Sequence, residues 1–525
     1  MENGNPARSR LCFEPTQPTE VRLQHGILPG LTLLLGAALA VACGGDSSGG
    51  PDAGPPAVCS ATVASPSCSP PGTPNLVAGG MVGPSAAPSV CQKPHSTPSV
   101  RQSSGLVQPL GTHKVGDVVS FNVPAGSGSL SIISQAINAT DTITYKGRPL
   151  DNSVVPTTLL KPDGTLIYDD NVVPDAGMEE TATVFYAASS PVTGVLTVPN
   201  ATPLLSSTCV AGGLPSGSWS VTVNDFAYEC FLTNDPNCTG GNNTNTYDLS
   251  VLTRSGPTLA TGTIDVAFYL VGAGGLTSAG AVVDPHVKRM VQTLSSIYAS
   301  AGICLGAVTF YDVPAWAQSR YANGIDASDE TPCGKLDQMF TLSQPGNTIN
   351  FFLVGQISST PGGGGSVVGI DGTIPGPSGV GGTVHSGAAV SAADLSAGVC
   401  PVSGGLDLGG CGADRVAYIA AHEGGHWMGL YHPTEADGES FDPLRDTPGC
   451  SCEACAPPGE RSNCATPGKT RPANPAFVFP PSCTSQSGGC GGGDELMFWQ
   501  LDGSVAKGKL SAEQGQVMRS NLLVH

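Results

Sequence analysis

The chain has 525 residues, more than one hydrophobic core usually organises, so two folded domains with unstructured connecting segments are expected. Its 22 Lys and Arg residues against 41 Asp and Glu residues give a formal net charge of -19, which would repel a phosphate backbone and excludes nucleic acid as a partner. Charged residues make up only 12%, whereas 71 Gly and 45 Pro favour strands, turns and loops over a helical bundle.

Residues 1–42 have the pattern of a signal peptide. Arg8, Arg10 and Arg22 precede an apolar run over 27–42 that is too short for a comfortable transmembrane helix and ends in small residues. The chain is therefore expected to leave the cytosol.

The sequence LAVAC ends at Cys43 and resembles a bacterial lipobox, in which the cysteine after the cleavage site is lipidated. The alternative is ordinary cleavage of a secretory signal, because the lipobox pattern prefers Leu where Ala40 stands. The resemblance implies a lipoprotein of the bacterial outer membrane or cell surface, with membrane contact through the anchor at Cys43; the alternative implies a secreted protein.

Residues 43–104 are predicted to be a lipidated tether followed by a low-complexity segment. Residues 44–56 have almost nothing to bury and are predicted to be flexible. The Pro- and Ser-rich stretch from there to about residue 104 includes Cys59, Cys68 and Cys91, so it is either stapled by disulfides or a propeptide.

The chain has 18 cysteines, and 16 remain without Cys12 and Cys43, an even number that favours disulfides in an oxidising compartment. The cluster of Cys450, Cys452 and Cys455 suggests a structural zinc site as an alternative, but no matching second pair follows it. Disulfides are therefore the preferred interpretation here too.

Residues 105–254 show short alternating strands separated by Gly, Pro, Asn and Asp turns, for example Val118–Val123 and 219–223. An all-β sandwich fits this pattern. The stretches LLKPDGTLIYDD and LPSGSWSVTVND resemble the jelly-roll accessory domains of secreted bacterial peptidases. Such a domain either binds substrate or cell-surface material, or serves only packing and solubility.

Residues 258–525 are predicted to form an α/β (α+β) domain. Apolar residues alternate over 264–270 as on one face of a strand. A helix is predicted next, with Asp284 as N-cap, Pro285 in the first turn and Gly302 just past its end. Further strands are expected at 306–313 and 348–354.

A glycine-rich stretch follows over 362–387. No Gly-Lys-Ser or Gly-Lys-Thr follows it, so it is not a phosphate cradle. It is predicted to be a long surface loop that leads into an edge strand over 382–391.

Residues 422–432 read HEGGHWMGLYH and contain H-E-x-x-H-x-x-G-x-x-H. On a helix, His422 and His426 are separated by a rise of about 6 Å and share a face, so both imidazoles can reach one metal ion. Gly429 can end the helix in the left-handed conformation, which brings His432 in as a third ligand. A catalytic Zn²⁺ with an open position is indicated, with Glu423 as the general base toward water.

This motif resembles the active-site helix of the metzincins and, within them, of the pappalysin-like peptidases. Three further segments agree in order: RDTP at 445–448, the Met-turn at 496–498 and the start of the last helix at 510–514. The resemblance spans about residues 260–525 and is strong only at the helix. It implies a zinc metalloendopeptidase acting on protein or peptide substrates, with Met497 as the apolar floor of the metal site.

The resemblance also implies a possible Ca²⁺ site near the D-T-P element, for which Asp442 and Asp446 could supply oxygens; the alternative is solvated loop carboxylates. The chain departs from many metzincins at Trp499, where they carry a tyrosine two residues past the Met-turn methionine. In the helix itself, Gly424 and Gly425 together cost about 2 kcal/mol of helix propensity.

The preferred function is thus a surface-anchored or secreted zinc metalloendopeptidase. One alternative is a cell-surface adhesin or binding lipoprotein whose β-sandwich does the work beside an inactive or structural zinc domain. Another is hydrolysis of a non-peptide bond by the same zinc chemistry.

Overall fold

The computed structural model describes residues 74–91, 96–99, 105–137, 143–145, 148–150, 153–169, 192–226, 245–327, 333–358, 367–401, 405–436, 438, 441–464, 476–484 and 491–525. The predicted signal peptide and the predicted lipidation site Cys43 lie outside these residues. Within the described part, none of the helices combines the length and the apolar character that a membrane crossing requires.

The described strands, in chain order, are β1 (Asn75–Met81), β2 (Leu106–Lys114), β3 (Val118–Val123), β4 (Ser127–Ala136), β5 (Ile143–Tyr145), β6 (Arg148–Leu150), β7 (Ser153–Leu160), β8 (Leu166–Asp169), β9 (Thr193–Val198), β10 (Gly217–Phe226), β11 (Thr246–Ser255), β12 (Gly262–Leu270), β13 (Ile303–Asp312), β14 (Ile325–Asp326), β15 (Thr348–Val354), β16 (Ile357–Ser358), β17 (Gly369–Asp371) and β18 (Ala388–Ser391). The α-helices are α1 (Thr202–Ala211), α2 (Ser278–Ala281), α3 (Pro285–Ser300), α4 (Ala315–Tyr321), α5 (Lys335–Phe340), α6 (Gly412–Trp427), α7 (Cys452–Cys455) and α8 (Ala512–Ser520).

The first domain consists of two four-stranded antiparallel sheets, ordered β3-β10-β7-β8 and β2-β11-β4-β9. Side chains from both sheets meet in one core, among them Val123, Leu130, Leu159 and Trp219. β3 alternates exposed and buried residues over Val118–Val123, the strand predicted from the sequence. The two sheets form the predicted β-sandwich, while its jelly-roll assignment stays a prediction.

The second domain is built on a six-stranded mixed sheet in the order β1-β13-β12-β15-β18-β17. All neighbouring strands are parallel except the β17–β18 pair, which is antiparallel. Helices α3 and α6 pack against each other and, with strand side chains such as Phe268 and Phe351, enclose the main core. The predicted helix is confirmed: Asp284 caps α3 by accepting from the backbone amides of His286 and Val287.

The glycine-rich stretch differs from its prediction. Residues 367–391 are mostly buried and do not form a surface loop. β18 lies inside the sheet between β15 and β17, and β17 is the edge strand. Glycine explains the burial, because a Cβ on Gly376 would lie 2.1 Å from the Trp427 ring and one on Gly387 would lie 2.6 Å from Phe340. The missing side chains let this backbone pack directly on neighbouring rings.

The stretch that precedes residue 104 contributes to the mixed sheet. Residues 75–81, in the part predicted to be either stapled by disulfides or a propeptide, form β1 and pair with β13 at the other edge of that sheet. A disulfide between Cys91 and Cys333 fastens the same segment to the second domain. This bond is the kind of disulfide staple that the sequence allows for Cys91. Residues 74–91 therefore belong to the second domain.

The two domains are in direct contact. The Thr202 hydroxyl, at the start of α1, donates to the Glu513 carboxylate (2.5 Å) and accepts from the backbone amide of Arg445 (2.8 Å). Arg254, 2% exposed, donates to the backbone oxygens of Arg519 and Asn521. These contacts link the sandwich to the end of the chain.

Disulfides join Cys400 to Cys411 and Cys452 to Cys464, and Cys304 and Cys450 are also disulfide-bonded. Several disulfides indicate an extracytoplasmic protein. The sulfurs of Cys450, Cys455 and Cys483 lie within 4.8 Å of one another. Because Cys450 is in a disulfide, it cannot also act as a thiolate ligand, and this agrees with the preference for disulfides over a zinc site in this cluster.

Candidate metal centre

Three histidines converge at the end of α6. The Nε2 atom of His426 lies 3.2 Å from Nε2 of His422 and 3.2 Å from Nε2 of His432. The three side chains are buried, at 6%, 0% and 1% exposure for His422, His426 and His432. Among the described residues, two groups of His, Cys, Asp or Glu side chains bring at least three ligand atoms within 4.8 Å of one another. One is this histidine group, and the other is the group of Cys450, Cys455 and Cys483.

The opposite nitrogen of each ring is held by an oxygen. Nδ1 of His422 donates to the Leu496 carbonyl (2.7 Å), and Nδ1 of His426 donates to the Leu430 carbonyl (2.7 Å). Nδ1 of His432 lies 3.0 Å from both carboxylate oxygens of Glu435. Such partners fix ring orientation and tautomer in metal-binding histidines.

This arrangement leaves three Nε2 lone pairs directed at one point. With each proton on Nδ1, the Nε2 atoms cannot donate hydrogen bonds to one another, so their close approach is unfavourable without a shared cation. Burial lowers the pKa of His432 to about 3, which favours the neutral imidazole that binds metals. Tetrahedral Zn²⁺ with Zn–N distances of ~2.0–2.1 Å places its nitrogens ~3.3 Å apart. The buried histidine group could therefore bind a metal ion such as zinc.

The turn after α6 positions the third histidine. Gly429 has φ +104, in the left-handed region, and its amide donates to the His426 carbonyl. The Leu430 amide donates to the Gly425 carbonyl at 2.9 Å, so the last turn of the helix closes before the chain reverses toward His432. The position predicted to require glycine is the one with this conformation.

The two adjacent glycines inside α6 are explained by close packing. A Cβ on Gly424 would lie 1.9 Å from the hydroxyl oxygen of Tyr298, on the facing helix α3. A Cβ on Gly425 would lie 2.5 Å from Sδ of Met497. Met497 is fully buried and packs against α6 next to Leu496, the partner of His422. Its role as the floor of a metal site stays a prediction.

Glu423 is 2% exposed and faces Asp371, the last residue of β17. Burial raises the pKa of Glu423 to about 8, and the neighbouring His422 opposes this effect. Burial and the charge of Glu423 raise the pKa of Asp371 well above its usual range. A cation at the three Nε2 atoms would favour the ionised form of Glu423.

An open pocket lies beside His422 and Glu423, and its space of about 270 Å³ includes open solvent. Its other lining residues are mainly apolar or aromatic: Val368, Tyr418, Ile419, Phe498, Trp499 and Leu501. The indole N–H of Trp499 donates to the Val478 carbonyl (2.8 Å), and the Tyr418 hydroxyl donates to the Glu495 carbonyl (3.1 Å). The polar atoms of both rings are thereby bound to backbone, and Trp499 contributes an apolar wall.

The two carboxylates predicted for calcium lie outside both groups of converging ligands. Asp446 accepts from the Ser511 hydroxyl (2.7 Å) and the Glu513 amide (2.8 Å) at the start of α8. Asp442 is 8% exposed and accepts from the Thr447 hydroxyl, and burial raises its pKa well above the usual range. Asp446 thus has a structural role at a helix end, and calcium binding at this pair stays a prediction.

Comparisons with known proteins give no close relative. No family model matches the chain, and no curated protein matches it by sequence. Among solved structures, metalloproteinase-II from Bacteroides fragilis matches with a TM-score of 0.21 and 13% identity, covering 36% of this chain and 51% of that protein. A chaperone-substrate complex matches with a TM-score of 0.21 and 16% identity, covering 51% of this chain and 36% of that one. The chain thus spans about half the length of the metalloproteinase.

Proposed function

We propose that this chain is a zinc-dependent metalloendopeptidase of the metzincin type, similar to the pappalysins. The proposal is carried by the convergence of three buried histidines next to a buried glutamate. Nε2 of His426 lies 3.2 Å from Nε2 of each of the other two, and Nδ1 of each ring has an oxygen partner. Three neutral imidazoles with an open side suit a catalytic rather than a structural zinc site.

The residues that would hold zinc are His422, His426 and His432. Zinc bound there supplies a Lewis acid that polarises a peptide carbonyl and makes water nucleophilic at neutral pH. Glu423 would accept a proton from that water and deliver it to the leaving amine. The carbonyls of Leu496 and Leu430, together with Glu435, keep the imidazoles oriented and neutral throughout.

The proposed substrates are extracytoplasmic proteins or peptides, reached by an enzyme anchored through Cys43 or released from the membrane. Many disulfides and a predicted signal peptide support this location.

The test is cleavage of a mixed protein substrate by the purified protein, with bound zinc measured on the same samples. Wild type should bind zinc and cleave in a chelator-sensitive way. Glu423→Gln should retain zinc and lose roughly 10²–10⁴-fold in rate, since it lacks the base. His432→Ala should lose zinc itself. A wild type that binds zinc yet cleaves nothing would favour the binding-lipoprotein alternative.

A further inference from the structure

Asp371 is a buried acid that the proposed zinc chemistry does not use. It ends β17, the edge strand of the mixed sheet, and its side chain is 6% exposed. Neither of its carboxyl oxygens has a hydrogen bond of ordinary geometry within the described residues. An ionised carboxylate is strongly disfavoured in such surroundings, whereas a neutral carboxylic acid is tolerated.

The polar group that Asp371 faces is the carboxyl group of Glu423, and the two side chains interact directly. The hydroxyl group of Tyr298, from α3, lies near both acids, and the ring of His422 lies near Glu423. Two buried carboxyl groups in contact are most stable when one of them holds a proton. Glu423 lies in α6 among the converging histidines, whereas neither carboxyl oxygen of Asp371 has another hydrogen-bond partner within the described residues, so Asp371 is the donor of the pair.

The same strand encloses Glu423 from a second direction. Gly369, two residues before Asp371, lies so close that a Cβ there would be 2.1 Å from Oε1 of Glu423. The Glu423 carboxyl group is thus held between the backbone of Gly369 and the side chain of Asp371. A three-residue strand therefore fixes the proposed base from outside the metal-binding helix.

We propose that Asp371, as a neutral carboxylic acid, donates a hydrogen bond to Glu423 and positions that carboxylate for proton transfer. Asp371 is a positioning residue, because it acts on the reaction only through Glu423. The inference rests on the proposed function of Glu423 as general base.

The kinetic test compares two variants of the zinc-loaded protein. Asp371→Leu, which has no donor, should lower kcat about 100-fold while KM and bound zinc stay within about twofold of wild type. Asp371→Asn keeps an N–H donor and the same shape, and it should recover kcat to within about fivefold of wild type. An equal loss of kcat in both variants with zinc retained, or no loss in Asp371→Leu, would overturn the proposal. If Asp371→Leu does not fold, a loss of kcat in Asp371→Asn as large as that of Glu423→Gln overturns it.

A second measurement does not depend on catalysis. The spectrum of zinc-loaded wild type minus that of zinc-loaded Asp371→Asn, recorded in the infrared at neutral pH, should contain a protonated-carboxyl band that shifts in D₂O. Asp265→Asn is the control and should give no such band, because Asp265 accepts from the Ala307 amide at 2.8 Å elsewhere in the same sheet. A wild type that cleaves no peptide would refute the proposed function, whereas absence of the band from the wild-type minus Asp371→Asn spectrum would refute this inference alone.

Discussion

Sδ of Met497 lies 2.5 Å from the point that a Cβ on Gly425 would occupy. Helix α6 and the segment carrying Leu496 are therefore in contact at a position where no side chain fits. The carbonyl of Leu496 also accepts from Nδ1 of His422, so this close contact and the orientation of the His422 ring involve the same segment.

Gly425→Ala should consequently destabilise the protein although alanine is the better helix former. We expect a loss of about 1–3 kcal/mol from overpacking, against a gain of about 1 kcal/mol in helix propensity, together with weaker zinc binding. Denaturant unfolding and zinc titration measure both effects. Gly459→Ala is the matched control, since nothing lies within 4 Å of a Cβ there. Equal unfolding midpoints for the two variants would contradict the prediction.

Glu435 should control zinc affinity without touching the metal. Its carboxylate holds Nδ1 of His432 at 3.0 Å, and loss of such a partner usually costs 10- to 100-fold in affinity, as an order of magnitude. We expect Glu435→Ala to bind zinc about 10–100-fold more weakly and to recover most of its cleavage rate at saturating zinc. Competition with a chromophoric chelator measures the affinity. Glu460→Ala, at an exposed position, should bind zinc as wild type does.

The site was largely predictable because its ligands are local. Eleven consecutive residues, 422–432, carry the three histidines, Glu423 and the turn glycine, so one helix end and the turn at Gly429 bring them together. Asp371 was not predictable, because it reaches Glu423 only through sheet pairing 52 positions away in the sequence, in a strand of three residues without a detectable period. Its place next to Gly369 in a buried stretch is visible only in the folded chain.

The fold was predictable where residues alternate and less so where glycine dominates. Apolar spacing predicted β3 and α3, and Asp284 predicted the start of α3; the structure contains both elements and the Asp284 cap. The burial of residues 367–391 was missed, because glycine gives no apolar pattern yet allows the closest backbone packing. β1 was missed for a related reason: most of its side chains are exposed, so its pairing with β13 rests on backbone hydrogen bonds.

His385 lies at the contact between the domains and should make the free energy of unfolding depend on pH. Its Nδ1 donates to the Gly372 carbonyl (2.9 Å) and its Nε2 accepts from the Val192 amide (3.2 Å), so the ring must be neutral. Burial lowers the pKa of His385 to about 4, below its unfolded value of about 6.5. The folded state thus binds fewer protons, and the contribution is complete above pH ~6.5 and is lost as the pH falls toward 4.

At pH 5 this loss amounts to about 2 kcal/mol relative to pH 7.5. Urea unfolding of zinc-free protein at both pH values should show that His385→Gln loses less stability on acidification than wild type by about this amount. The other histidines and the carboxylates contribute equally to both proteins, so the comparison isolates His385. His113→Gln, the same substitution at a half-buried position in the sandwich, is the matched control.

The pocket beside the metal centre should make cleavage depend on an apolar substrate side chain next to the scissile bond. Its walls include Val368, Ile419 and Leu501, and the polar atoms of Tyr418 and Trp499 are bound to backbone carbonyls. A charged substrate side chain would lose its hydration there without gaining a partner. We expect kcat/KM to be roughly 10–100-fold higher for a peptide with Leu at this position than for one with Lys or Asp.

Leu501→Arg should reverse part of this preference, because an arginine at the wall offers a partner to an acidic side chain. In matched peptides, cleavage of the Asp peptide should rise relative to the Leu peptide. Val399→Arg is the control, since Val399 is 84% exposed and lies outside the pocket lining. If Leu501→Arg slowed both peptides by the same factor, the wall would restrict access without selecting a side chain, and substrate preference would have to arise from contacts along the peptide backbone.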